Sequence, residues 1–370
     1  MSDAYATTIA EGFSQKLLGE VYEKSLVDAI VNRDYEGEIN EIGSKLTIGN
    51  IARISEKTYT GADLTADSLY ENPTILTIDQ YKSFYWAEKT LDKWLSFIKN
   101  PHSKVVQQKA DERNKNMDEY LLGLYGDVAA GNRVGTDYTT GDVTVDVTTG
   151  VVTGNGTTFT AAMVGKGFKA EGHTQLYRIK SYSGATSIVI EDDLDDVTSA
   201  YTGGAIAGGS SYTIEAATVV SVTTSNLFQK VSQLGEKLDE AEIYDKSAVP
   251  DTGRWLIAPP KFFTTLKRAT GVALHVDEVY RDLVKKGYMG ELDGFQLFKS
   301  TRLTGDNTDG YHILAGHENW ITFAEKLLTA DMEEDLPGNF GSAYKDLFVY
   351  GAKVPDTRRH FAAELFATFA

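Results

Sequence analysis

Two different textures meet in this chain. Residues 136–218 hold 16 Thr and 12 Gly but only two Leu, Leu176 and Leu194. Thr is stiff at its branched Cβ and suits a pleated strand, Gly suits turns, and a Leu-poor stretch makes a weak helix. The texture changes at once on both sides. A charged helical run from His102 to Tyr125 precedes the segment, and an apolar helical run from Asn226 to Ala241 follows it. The segment therefore reads as an all-β module carried in a surface loop of a host that mixes helix and strand.

At 370 residues the chain is long enough for two or three domains, and such a chain buries roughly three quarters of its unfolded surface. It contains no Cys, which excludes disulfides, thiolate metal sites and cysteine nucleophiles. The opening residues, Met1 to Ala6, carry neither a basic cluster nor an apolar run, so a secretory signal is not expected. No apolar run approaches the roughly 18 residues of a membrane-spanning helix. The net charge of −17 is spread along the chain, with ten acids and four bases in 136–218. That balance opposes non-specific binding to DNA or to an anionic membrane, and it reads as a solvated acidic surface.

Hydrophobic spacing predicts an amphipathic helix over 12–33, with Phe13, Leu17, Val21 and Ile30 on its apolar side together with Leu18 and Leu26. Strands at Lys45–Ile51 and Thr74–Ile78 follow, separated by a polar loop that Asn72-Pro73 closes. Together they form a long hairpin, and so long a connection in a compact fold is usually functional or mobile. The aromatic stretch 79–99 (Tyr81, Phe84, Tyr85, Trp86, Trp94, Phe97) is expected to pack this arm. Pro101 opens a helix to Tyr125 with one narrow stripe of Val106, Ala110, Arg113, Met117, Leu121 and Leu124.

Within the module, strands are expected at Asp142–Val147, Val151–Thr153, Leu176–Ile179, Ser187–Ile190 and Ser211–Ile214, with a turn at Asn155-Gly156 and closure as a sandwich or barrel. Downstream lie a helix Asn226–Ala241, a buried strand Arg254–Ala258, a helix from Pro259-Pro260 to Ala269 and a helix Val276–Lys286. A Gly-rich segment 287–298 and strands at Tyr311–Ala315, Ile321–Ala324 and Leu347–Ala352 complete the host, whose class is α+β.

Catalytic patterns are missing. The six His, at 102, 173, 275, 312, 317 and 360, form no metal-binding pair at helical spacing. There is no Gly-x-Ser-x-Gly elbow. Gly165-Lys166-Gly167 lacks the upstream Gly of a phosphate loop, and Gly154-Asn155-Gly156 lacks a third Gly, so both read as turns. Asn155-Gly156-Thr157 fits the glycosylation pattern but also reads as a turn. The run Glu191-Asp192-Asp193-Leu194-Asp195-Asp196 could collect oxygen ligands for Ca²⁺, yet it lacks the Gly and terminal Glu of the calcium loop and reads as a solvated acidic loop. Catalytic, cofactor and metal residues are therefore expected to be none, and the chain is not expected to be an enzyme.

The host segments resemble those of tailed-phage major capsid proteins with the Hong Kong 97-like shell fold. Arg254-Trp255-Leu256-Ile257-Ala258-Pro259-Pro260 is similar to the strand, proline and helix of that family's axial domain. Gly287-x2-Gly290-x3-Gly294-Phe295-x-Leu297-x2-Ser300 resembles its Gly-rich turn and strand. Ala315-Gly316-His317 with Ile321, and Val349-Tyr350-Gly351-Ala352-Lys353-Val354, resemble its closing strands. The module separately resembles small β-modules of phage surface proteins through Gly150-x2-Thr153-Gly154-x-Gly156-Thr157-x-Phe159 and Val164-Gly165.

The resemblance implies an N-terminal arm at 1–34, an extended hairpin loop and flank at 35–90, and a peripheral domain with its spine helix at 91–135. It then implies the insertion at 136–218, an axial domain at 219–344 and return strands of the peripheral domain at 345–370. The extended loop would lap onto a neighbouring subunit, with Leu46, Ile48, Ile51, Ile75 and Ile78 as interface residues. Lys45 and Lys57, in or near that loop, read as solvated. Hexamers and pentamers of an icosahedral shell are implied, assembled in the host cytoplasm and located in the virion. The implied partners are a separate scaffolding protein, a portal and a decoration protein, with packaged DNA only an indirect partner. No cofactor and no membrane are implied. The competing reading, a phage tail or surface-binding protein with a β recognition module, calls for repeats or trimeric coiled-coil heptads, and the sequence has neither.

Overall fold

The computed structural model describes residues 25–34, 45–48, 74–90, 102–173, 175–193, 198–240, 249–273, 288–333 and 340–370. The strand Arg254–Ala258 is buried at every position. Leu256 and Ala258 face one hydrophobic core, while Trp255 and Ile257 face another. A strand covered on both faces needs a continuous apolar run rather than an alternating one, and that is what made this element legible.

It sits in an eight-stranded mixed sheet. Phe295–Lys299 pairs with it in parallel and Gly310–His317 antiparallel. Ala362–Phe369 lies beyond Gly310–His317, flanked in turn by Val220–Val222 and Arg133–Val134. Two helices, Leu227–Asp239 and Pro260–Ala273, cover one face with Leu227, Val231, Leu234, Phe262 and Leu266. Pro260 occupies the first helical turn, where its missing N–H costs nothing. Asp293 and Gly294, at φ 53° and 78°, make the tight turn between Tyr288–Leu292 and Phe295–Lys299.

A second sheet of four strands runs Val31–Asn32, Ile321–Glu333, Gly341–Lys353, Gln80–Lys89. The long helix His102–Leu122 packs on one face through Met117 and Leu121, which meet Phe348 and Tyr350. The described strands between Thr136 and Thr218 form a nine-stranded sheet, and among the described residues each pairs only within that segment. Its core of Val143, Val152, Phe168, Ile179, Ile188 and Ile214 is separate from the others. Thr136 pairs with Thr218, so the two ends of the segment are adjacent.

Several expectations need correction. Of the helix expected over 12–33, the described part holds helix only at Val27–Ile30. Val31 and Asn32 instead form a strand parallel to Ile321 and Thr322. β-branched Val31 follows Ile30, and pairing with a neighbouring strand overrides helical spacing. The long helix stops at Leu122 and tightens into a 3-10 turn, Gly123–Asp127, which includes two glycines. Ala110, expected in its buried stripe, is exposed.

The strand Ile321–Glu333, expected within 219–344, belongs to the four-stranded sheet. Ala362–Phe369, expected within the 345–370 return, belongs to the eight-stranded one. Apolar strands look alike in sequence, and the sheet each one joins is a long-range choice. Asn155-Gly156 ends a strand and Gly156 has φ 69°, but the chain then leaves that sheet position instead of folding back on it. The neighbouring hairpin turns at Asp146, whose carboxylate accepts the backbone N–H of Thr148 at 2.7 Å and of Thr149 at 3.2 Å. The helix expected at Val276–Lys286 lies outside the described residues.

Candidate assembly surface and a buried charge cluster

The arm consists of Lys45–Ile48 paired antiparallel with Thr74–Thr77, with Leu46 opposite Leu76 and Thr47 opposite Ile75. Period-two alternation separates its side chains onto two faces. Ile48, Leu76 and Ile78 turn inward, with Leu46 beside them, and pack on Ala324 and Val349 of the four-stranded sheet. Gly351 lets them close: a Cβ there would stand 2.4 Å from the Thr77 carbonyl oxygen. Ile75 points the other way and is 48% exposed. Thus Ile48 and Ile78 are buried within the chain, Leu46 is half-buried, Ile75 is on the surface, and Ile51 lies outside the described residues. Tyr81 and Tyr85, also exposed, stand on the edge strand Gln80–Lys89 beside the arm.

The opposite face of this sheet is held by charge as well as packing. The carboxylate of Asp346 accepts from Arg113 Nη2 at 3.1 Å and is also paired with Lys109. The Arg113 guanidinium lies 4.1 Å from the centre of the Phe348 ring. Burial, and then the Arg113 charge, push the Lys109 ammonium down to about 8. Near the helix end, fully buried Asp118 accepts from Ser25 Oγ at 2.9 Å and the Leu26 backbone N–H at 3.1 Å, and pairs with Arg302.

The most enclosed charges surround Glu364, which is 0% exposed. Its carboxylate pairs with Arg133 and accepts from Lys166 Nζ at 3.1 and 3.0 Å and from His312 Nδ1 at 2.5 Å. Arg133 also donates to the carbonyls of Gly126, at 3.0 Å, and Val128, at 2.9 Å. The His312 ring is stacked between Tyr125 and Phe366, with centroids 3.9 and 4.6 Å away. Burial alone would raise the Glu364 pKa, but Arg133 and Lys166 more than offset it and hold the carboxyl well below its usual range. Burial pushes Lys166 down to about 8, with Glu364 opposing and Arg133 adding to the shift.

Lys166 is the residue the sequence concealed. Flanked by glycines it reads as a surface turn, yet it is 1% exposed. Gly165, at φ 82°, makes the approach possible, since a Cβ there would stand 3.2 Å from Arg133 Nη2 and from the Gly126 oxygen. The available signal was Glu364 itself, a single charge within Ala362-Ala363-Glu364-Leu365-Phe366-Ala367. A charge inside an apolar run needs a buried counter-charge.

This cluster saturates a carboxylate and sets up no nucleophile with a base and oxyanion donors. Among the described residues no group of three or more His, Cys, Asp or Glu is placed to hold a metal ion. None of their helices is long and apolar enough to cross a membrane. In the acidic run, Glu191 pairs with Arg178 at 3.5 Å and Lys180 at 3.3 Å, and Asp192 accepts from the Thr202 N–H at 3.1 Å.

No family model matches the sequence, and no curated protein matches it. Solved structures do. A chain of Mycobacterium phage Che8 is 17% identical, with a TM-score of 0.59 and 96% of each chain covered. A chain in the capsid structure of the cyanophage P-SCSP1u is 12% identical, with a TM-score of 0.57, covering 98% of this chain and 94% of that one. Over nearly its whole length, the chain is therefore similar in fold to a chain of Mycobacterium phage Che8 and to a chain in the capsid structure of the cyanophage P-SCSP1u.

Proposed function

We propose that this chain is the major capsid protein of a tailed phage, the repeating subunit of an icosahedral shell of the Hong Kong 97-like kind. The observation that carries this reading is the near full-length likeness in fold to a chain of the P-SCSP1u capsid. The arm residues 45–48 and 74–78 support it. One face is covered by the four-stranded sheet while Ile75, Tyr81 and Tyr85 remain on the surface, as a contact to a second subunit requires. Residues 136–218 act as an inserted domain on the outer surface, supported by their private sheet, separate core and adjacent ends.

In this reading the shell grows from hexamers and pentamers, guided by a separate scaffolding protein. It joins a portal, carries a decoration protein and encloses DNA that its acidic surface does not grip. Purified subunit mixed with its scaffolding protein is expected to form closed particles visible by negative-stain electron microscopy. Fibres or single subunits under those conditions contradict the proposal.

A further inference from the structure

The segment 136–218 leaves and re-enters the rest of the chain at one point, since Thr136 pairs with Thr218. A module attached only there has freedom to rock, because domains joined by a narrow connection move relative to one another. A second attachment exists, and it is buried. Lys166, in the module, places its ammonium 3.0 and 3.1 Å from the two carboxylate oxygens of Glu364, in the eight-stranded sheet. Arg178, also in the module, donates to the Gly126 carbonyl at 3.0 Å. Leu176 lies over Gly131, whose added Cβ would stand 3.6 Å from the Leu176 side chain.

We propose that Lys166 is a key that locks the module in one orientation on the eight-stranded sheet, so that the two move and unfold as one unit. The groups facing Glu364 are Arg133, Lys166 and His312, with Tyr125 and Phe366 stacked on the imidazole. Their charge count makes the lock one-sided. Without Lys166, Arg133 and Glu364 remain a matched pair and the sheet keeps its anion balanced. Without Glu364, two buried cations face each other with nothing between them. A fixed module presents its outer face at a constant position on whatever array the body builds.

The test is hydrogen–deuterium exchange and calorimetry on the full chain and on Lys166→Met, which keeps much of the side-chain volume. In the variant the core strands of the sheet should keep their protection. Exchange at the seam, Gly165–Ala170 and Gly126–Val134, should rise at least about tenfold, and the single melt should split in two. An unchanged seam and a single melt would overturn the proposal. Native-state exchange of the unmodified chain gives an independent check that needs no variant. The module strand Ser187–Asp193 and the sheet strand Arg254–Ala258 should open with the same free energy, and a module that opens well before the sheet contradicts the lock.

Discussion

Glu364 has no access to water, so its ionisation depends on Arg133, Lys166 and His312. Its folded-state pKa lies below the ordinary 4.5. The stability this contributes is therefore complete above 4.5 and is lost as pH falls below that value. Lys166 has the opposite dependence: its pKa drops from 10.5 to about 8 on folding, so the folded state binds fewer protons in between and stability rises with pH across that window. Denaturant titrations should show the stability of the unmodified chain growing relative to Lys166→Met between pH 8 and 10.5. A constant difference would mean that Lys166 is solvated. Glu364→Gln should cost about 3–5 kcal/mol, the usual cost of breaking a buried ion pair from one side. Measured by denaturant unfolding at neutral pH, a loss below about 1 kcal/mol would place the carboxylate in water.

At the scale of elements, the arm shows what alternation can and cannot reveal. Lys45–Ile48 was legible from the alternation of Leu46 and Ile48, and Thr74–Thr77 from its β-branched and apolar residues, Thr, Ile and Leu. Which of those residues face inward was not, because both faces carry Ile and only the register against Ala324 and Val349 decides. Two substitutions separate the faces. Ile78→Asp buries an unpaired carboxylate at a site 1% exposed and should destabilise the subunit by several kcal/mol. Ile75→Asp, on the exposed face, should leave the melting temperature nearly unchanged while reducing assembly. Thermal melts and particle yields read these two effects separately, and normal assembly by Ile75→Asp would remove that face from any subunit contact. The strand Arg254–Ala258 was legible from the unbroken apolar run Trp255–Ala258. The strand at Val31–Asn32 was not, because its partner is some 290 positions away at Ile321 and Thr322. Lys166 was invisible for the same reason, its counter-charge being supplied by a strand at the far end of the chain.

For the whole molecule, the change of composition at 136 and 218 coincides with a change in strand pairing: the described strands between them join one sheet. Composition said nothing about the buried link across that boundary. Replacing the segment by a short Gly-Ser connection from Gly135 to Val219 should still give a folded body, because the ends already pair and the Arg133–Glu364 pair remains balanced. Changing the length of a connection costs only about 0.6 kcal/mol per doubling. Circular dichroism and a cooperative melt check this, and an unfolded body would mean that the module is part of the core.

The central claim, that this chain builds a shell, is tested most directly by sedimentation velocity with electron microscopy of the same samples. The chain is examined over a range of concentrations, alone and together with the scaffolding protein that the proposed function calls for. The account expects discrete rings of five or six subunits and closed icosahedral particles, with the arm resting on a neighbouring subunit in the reconstruction. A single species with the mass of one chain at every concentration, with scaffolding protein present, would contradict it.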